Sequence, residues 1–220
     1  MRVICIIPAR GGSTRIKDKN IADLGGHPLI AWTIRDALAS NLIDRVIVST
    51  NSKKIKDISI EYGAEVVDRP DYLSKDDSKI EDAVKYTIEK LKEKPDLIVL
   101  LQCTTPFRNK GDIDEGIIKL NQDNADSLFF ATEFDKFIWT REHDSINYDF
   151  KDRPRTQDKK WEIVELGNYI IKPEVLYKFN NRLGGKITHL LVDKISEIDI
   201  DNQYDLALAR LLVEKCGVIK

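Results

Sequence analysis

The chain has 220 residues, 35 of them Lys or Arg and 37 Asp or Glu, for a formal net charge of −2. So even a balance gives no long-range attraction to nucleic acid or to an anionic membrane, and any site for a polyanion must be built locally. Cys5, Cys103 and Cys216 are odd in number and widely spaced, which fits reduced thiols in a cytoplasmic protein better than a disulfide framework or a zinc site.

The length suits one main domain with a sizeable core. No stretch has signal-peptide form or reaches membrane-spanning length, so a soluble protein is expected. Residues 3–7 are a continuous apolar run suited to a strand buried on both faces, and Pro8 ends it by removing a ladder donor. A loop of glycine and charge follows, with Ala9, Arg10, Gly11, Gly12, Ser13, Arg15, Lys17, Lys19 and Asn20. The two glycines permit turns with unusual dihedrals and close approach of a ligand. Successive N–H groups in such a turn form an anion nest, and the four cations supply charge for phosphate oxygens. A solvated basic loop is the plainer alternative.

Ile30, Ile34, Ala37 and Leu38 form a helical stripe behind Pro28, a good first-turn residue. Residues 45–50 read as a strand, and Ile55, Ile58 and Tyr62 mark a helix capped by Ser52. A short strand at 65–67 precedes a helix marked by Ile80, Val84, Ile88 and Leu91. Residues 96–101 are the clearest buried strand; Ile113, Ile117 and Leu120 follow on a helix, then a strand at 127–131. This alternation predicts βαβ units in a Rossmann-like, doubly wound α/β fold, a mostly parallel sheet flanked by helices.

The alternation fails at about 133–164, which reads as an insertion within a single domain spanning 1–220. Segments 138–140 and 145–148 are expected to pair as a hairpin. Exposed Phe134, Phe137, Trp139 and Tyr148 suggest a covered surface, with a second subunit as the cover and a mobile lid as the alternative. The sheet resumes at 166–171, a helix follows Pro173, and 190–192 precedes an Ile-Asp-Ile-Asp segment at 198–201. Leu206, Ala209, Leu212 and Val213 mark a final helix.

Ligands of open parallel sheets bind beyond the carboxyl ends of the strands, and polar clusters fall there: the opening loop, Arg69, the segment from Gln102 through Thr104 to Arg108, and Asp199 with Asp201. The loop lacks both the G-x-G-x-x-G spacing of a dinucleotide site and the G-K-[ST] of a P-loop. On an extended segment Asp199 and Asp201 point the same way, and such a pair suits magnesium brought in with a nucleoside triphosphate. Acidic residues capping the last helix are the alternative. Gln102 can read a base or sugar through its amide. Cys103 has no partner base and is not expected to be a nucleophile.

Together these motifs resemble the acylneuraminate cytidylyltransferase family, which makes CMP-activated sialic and related nonulosonic acids. The marks are I-P-A-R-G-G-S at 7–13, K-N-I at 19–21, V-I-V-S-T at 46–50, D-R-P at 68–70, L-Q-C-T-T-P-F-R at 101–108, R-P-R-T-Q-D at 153–158 and E-I-D-I-D at 197–201. The resemblance implies a nucleotidyltransferase fold and attack by the anomeric hydroxyl of a nonulosonic acid on the α-phosphorus of CTP. It implies that Arg10, Lys19 and Asn20 hold the nucleotide, that Arg69 and Gln102 shape the substrate pocket, and that Asp199 and Asp201 bind magnesium. It further implies a homodimer built by the insertion, with Lys136 and Arg155, and Arg153 behind them, reaching a neighbour's sugar site.

The chain departs from the family pattern at Cys103, Thr105 and Phe107, in a short 76–82 segment bearing Lys79, and at 166–171. There an expected asparagine is absent or shifted to Asn168. These departures concern the acceptor more than the phosphates. A 3-deoxy-manno-octulosonate cytidylyltransferase or another sugar nucleotidyltransferase is the alternative enzyme. A nucleotide-binding regulatory protein is the non-enzymatic one, and its mark would be a missing aspartate pair.

Overall fold

The strand Val3–Pro8 (β1), fully buried from Val3 to Ile7, lies at the heart of a seven-stranded sheet in the computed structural model, which describes residues 1–91, 93–159 and 161–216. A two-residue hairpin, Asp23–Leu24 (β2) and His27–Pro28 (β3), leads into Leu29–Leu38 (α1). Then come Arg45–Thr50 (β4), Lys53–Glu61 (α2), Glu65–Asp68 (β5), Ile80–Leu91 (α3), Leu97–Leu100 (β6) and Asp112–Gln122 (α4). The chain closes with Ser127–Phe134 (β7), Glu162–Ile171 (β8), Pro173–Phe179 (α5), Ile187–Leu191 (β9) and Gln203–Cys216 (α6). The order in the sheet is β5-β4-β1-β6-β8-β7-β9. Strands β5, β4, β1 and β6 are parallel, β8 is antiparallel to both its neighbours, and β9 is parallel to β7.

The period of two along β1 sorts its side chains between the sheet's faces. Val3, Cys5 and Ile7 pack with Ile30 and Ile34 of α1, Ile55 of α2 and Ile113 and Ile117 of α4. Ile4 and Ile6 pack on the other face with Val84 and Ile88 of α3 and Leu176 of α5. From β1 the chain moves outward to β4 and β5, then returns on α3 to β6 at the opposite flank of β1. That reversal opens a crevice at the carboxyl end of β1. A third cluster, Ile16, Leu24, Leu29, Trp32, Phe107, Ile200, Leu206 and Ala209, folds α6 and the 198–201 segment over that end.

Three expectations need correction. Strands β7 and β8 run on past the predicted 127–131 and 166–171, so residues 133–134 and 162–164 belong to the ladder and the irregular segment is only 135–161. A register shift between Phe129 and Ala131 interrupts the two-residue alternation that would have announced this. The predicted hairpin shrinks to one bridge, Trp139 with Ser145. Nor are all its aromatic residues exposed. Phe134, Phe137 and Tyr148 are half-buried; Phe137 stacks against Tyr148 at 4.4 Å and Trp161 at 5.4 Å, with Arg153 over its face at 4.3 Å. Trp139, Ile146 and Phe150 remain exposed.

Among the described residues no helix is long and apolar enough to cross a membrane. Cys5 and Cys103 are free, buried thiols, while the Cys216 side chain lies outside the described residues.

Candidate active site

At the end of β1 the loop spends its first amides on the protein itself. Ala9 is fully buried and its N–H donates to Ser49 O at 2.9 Å; Gly11 N–H donates to Asn51 Oδ1 at 2.9 Å. Neither N–H is free for a ligand, so the expected anion nest does not include these two amides. Gly12 turns the chain at φ +74°, a conformation that glycine adopts without a Cβ penalty. From Gly12 on, the amides of residues 12–18 make no hydrogen bond among the described residues. Buried Asn20 ties the loop's two ends by donating from Nδ2 to Arg10 O at 3.0 Å.

The loop forms one wall of a cavity of about 260 Å³. Its lining carries Arg10, Arg15, Lys19, Arg69, Lys75 and Lys79, with Asp76 the one acid, and adds Ser13, Thr14, Asn20, Ser78 and Thr104. Arg69 follows β5, is 6% exposed, and donates from Nε to Ser74 Oγ at 3.1 Å, while its Nη2 has no partner among the described residues. Burial, then the neighbouring Arg10, lowers its pKa to about 10. Such a guanidinium gains from any phosphate or carboxylate that reaches it. Arg10 is engaged: Nη2 pairs with Asp76 at 2.5 Å and Nη1 donates to Ser74 O at 3.3 Å. A shallow depression of about 520 Å³ beside Gly11 and Gly12 shares Arg10, Lys75 and Asp76 with the cavity, so the Arg10–Asp76 pair stands between the two.

Segment 198–201 is no strand. One bond, Ile200 N–H to Thr104 O at 2.7 Å, holds it beside the β6 loop, with Ile200 fully buried between exposed Asp199 and half-buried Asp201. Lys19 Nζ donates to Ile200 O at 2.9 Å and to Asp201 Oδ1 at 3.0 Å, and Arg15 lies 3.2 Å from Asp201 Oδ2. Burial raises the Asp201 carboxyl, but Lys19 and then Arg15 outweigh it and hold it below the usual range. Asp199 makes no hydrogen bond or ion pair among the described residues, and among them no three His, Cys, Asp or Glu side chains group as a metal site. A metal here would draw two carboxylates from the chain and its remaining ligands from substrate and water.

Gln102 stands apart from the cation-lined cavity. Its side chain lies over Gly167 of β8, where an added Cβ would sit 3.0 Å from Nε2. Asn168 is 2% exposed and bonded to Thr105, Arg108 and the Gln102 backbone, so it does not replace the missing asparagine as a ligand contact. Lys17 is exposed and outside the cavity lining. Lys136 and Arg155 are exposed on the irregular segment, paired with Asp135 and Asp158 at 3.3 and 2.6 Å, and do not reach this chain's cavity. Cys103 is buried, and desolvation pushes its thiol up to about 12, which makes it inert at neutral pH. Sequence reasoning marked 76–82 only as a shortened segment bearing Lys79 and did not bring Lys75, Asp76 and Ser78 to the cavity; the signal was the charged run at 75–79 between a strand and a helix.

A family model described as Cytidylyltransferase matches residues 4–159. N-acylneuraminate cytidylyltransferase A of Danio rerio is 30% identical over 222 residues, covering 98% of this chain and 51% of that protein. The pseudaminic acid cytidylyltransferase of Campylobacter jejuni is 30% identical, covering 96% of each. The chain therefore spans about half the length of the first relative and nearly all of the second. Among solved structures, a CMP:2-keto-3-deoxy-manno-octonic acid synthetase complexed with CTP superposes with a TM-score of 0.74 at 16% identity, over 98% of this chain and 99% of that one. At that identity the likeness speaks for the fold.

Proposed function

Because the chain belongs to the cytidylyltransferase family, we propose that it joins the CMP part of CTP to a sialic-acid-like nonulosonic acid and releases pyrophosphate. The observation that carries this reading is the cavity with six cations and one acid at the carboxyl end of β1. It suits a short polyanion far better than a neutral sugar. The acceptor class follows from the relatives, a sialic-acid and a pseudaminic-acid enzyme by name.

In the reaction the acceptor's anomeric oxygen bonds to the α-phosphorus, the bond from that phosphorus to the bridging α–β oxygen breaks, and the hydroxyl proton is lost. The protein's part is alignment and charge neutralisation. Arg10, Lys19, Lys75 and Lys79 take up charge on the departing pyrophosphate, and the free amides of residues 12–18 cradle it. Gln102, on the far side of Thr104, faces the acceptor, and Arg69 offers its unpaired nitrogen to an anionic group.

Magnesium fits the donor set of Asp199 and Asp201. Both are hard oxygen ligands, the first exposed and unpartnered, the second held ionised by Lys19 and Arg15. When bound it would neutralise triphosphate charge and ease loss of the acceptor proton.

Exposed Trp139, Ile146 and Phe150 support a homodimer through the 135–161 segment, which would carry Lys136 and Arg155 toward a neighbour's acceptor. Free buried thiols support a cytoplasmic location. The test is CTP consumption with N-acetylneuraminate, pseudaminate, N,N′-diacetyllegionaminate and 3-deoxy-manno-octulosonate. Turnover with one of the first three is expected. Turnover with the octulosonate alone would replace the acceptor, and turnover with a sugar 1-phosphate alone would overturn the reading.

A further inference from the structure

Arg108 has a side chain only 3% exposed, and its guanidinium is the hub of a polar network beneath the β6 loop. Nη2 donates to Gln102 O at 3.0 Å, to Asn168 Oδ1 at 2.8 Å and to Thr105 Oγ1 at 3.4 Å. Nη1 donates to Asp36 Oδ2 at 3.2 Å and to Thr33 Oγ1 at 3.4 Å. The Gln102 backbone is thereby gripped at both ends. Its carbonyl also accepts from Thr33 and Thr105 at 3.4 and 3.5 Å, and its N–H donates to Asn168 Oδ1 at 3.3 Å.

Stability alone is a poor reason for this arrangement. Burying a guanidinium is costly unless every donor is met, and Arg108 Nε has no partner among the described residues. An apolar side chain would fill the space at less cost. What the network secures is the position of one backbone segment, and the side chain leaving that segment is Gln102, laid flat on Gly167.

We propose that Arg108, with Asp36 as its counter-ion and Asn168 as its second arm, is a positioning residue that fixes Gln102 for recognition of the acceptor sugar acid. This rests on the reading of Gln102 as an acceptor contact. The network is directed at the acceptor because Gln102 lies outside the cation-lined cavity, whereas Arg10 and Lys19, the residues read as phosphate contacts, touch no member of it. Behind the network a groove of about 600 Å³ runs between α1, the 108–111 turn and Val213 of α6, and both Arg108 and Asp36 line it. A small cation can therefore reach the vacated position if the Arg108 side chain is removed.

The experiment compares Arg108→Ala, Arg108→Lys and Gly167→Ala, using whichever acid of the panel the unaltered protein activates. Loss of charge-assisted bonds to Gln102 and Asn168 should raise the acceptor KM about ten- to hundredfold in Arg108→Ala, with the CTP KM within about twofold. Non-denaturing guanidinium chloride should recover much of that loss. Arg108→Lys keeps the buried charge without the fork and should reproduce the acceptor effect; an unaltered acceptor KM in that variant overturns the proposal. Equal rises in both KM values in Arg108→Ala, unrelieved by guanidinium, also overturn it, since they mark a merely structural role. Gly167→Ala displaces the Gln102 side chain without touching the network. If it raises the acceptor KM while Arg108→Ala does not, Arg108 has no positioning role and the Gln102 reading stands. If neither raises it, the Gln102 reading itself fails. Hydrogen exchange at the Gln102 amide needs no substrate. It should quicken in Arg108→Ala and slow again with guanidinium, and unchanged exchange overturns the proposal.

Discussion

Removing the charge of Asp76 should make CTP bind more tightly. Asp76 pairs with Arg10 at 2.5 Å, and the two side chains are 72% and 35% exposed. A triphosphate that takes Arg10 must first break that pair, which at such exposure is worth about 0.2–1 kcal/mol. The carboxylate then stays at the rim of the cavity and repels the ligand. Unit charges about 6 Å apart at an effective permittivity of about 60 repel by about 1 kcal/mol. Asp76→Asn removes both costs, so CTP affinity should rise by about 1–2 kcal/mol, or about five- to thirtyfold. Isothermal titration of CTP with magnesium, repeated at rising salt, reads this directly, and the gain should shrink as salt screens the exposed charges. Asp76 is exposed, so the fold should be unaffected. Unchanged or weaker binding would refute the reasoning and show that Asp76 does not compete with the triphosphate for Arg10.

Asp201→Asn removes the shared partner of Lys19 and Arg15 and one of the two carboxylates proposed to hold magnesium; on that proposal pyrophosphate release from CTP should fall by about two orders of magnitude or more, the several kcal/mol that metal-assisted charge stabilisation would supply. A rate equal to that of the unaltered protein would end the assignment of Asp201. The Asp36 carboxyl is raised to about 6 by burial, against the pull of Arg108 and with a smaller push from Asp112. Its contribution to stability is therefore fully present below about pH 4 and is lost as pH rises through about 6, by roughly 1–2 kcal/mol once its contact with the open groove is allowed for. Asp36→Asn should remove that slope, and urea titrations of both proteins between about pH 4 and 7 that run parallel would contradict it. Trp139→Glu places a charge on the exposed aromatic face and should weaken self-association by about 2 kcal/mol or more, read by sedimentation; an undisturbed dimer would move the interface elsewhere.

The parallel half of the sheet was legible because its strands are buried on both faces and its helices carry plain stripes, as in the alternating faces of Val3 to Ile7. The cation-lined cavity was legible for a different reason: Arg10 and Arg69 follow the carboxyl ends of β1 and β5, which converge, and Lys19 returns to the same place at the far end of the opening loop. Convergence alone could not reveal which amides were already spent. Ala9 and Gly11 are committed to Ser49 and Asn51, contacts across about 40 residues of chain that no local pattern encodes. Asn168 looked like a displaced ligand contact because its neighbour Gly167 matched, yet strand alternation turns it inward to Arg108. Strands β7 and β8 were cut short in the reading because a register shift breaks their period just where the pattern was needed.

The cavity's six cations and one acid have a consequence for the remainder of the surface. Setting that local +5 against a chain total of −2 leaves −7 spread over everything else. On average that remainder repels an anion at long range while the cavity attracts it, so approach to the opening is favoured electrostatically. A longer polyanion gains less, because with one stretch seated in about 260 Å³ its other charges lie over a surface that is acidic on balance. The distribution of charge alone therefore favours a short polyanion over a long one at this opening.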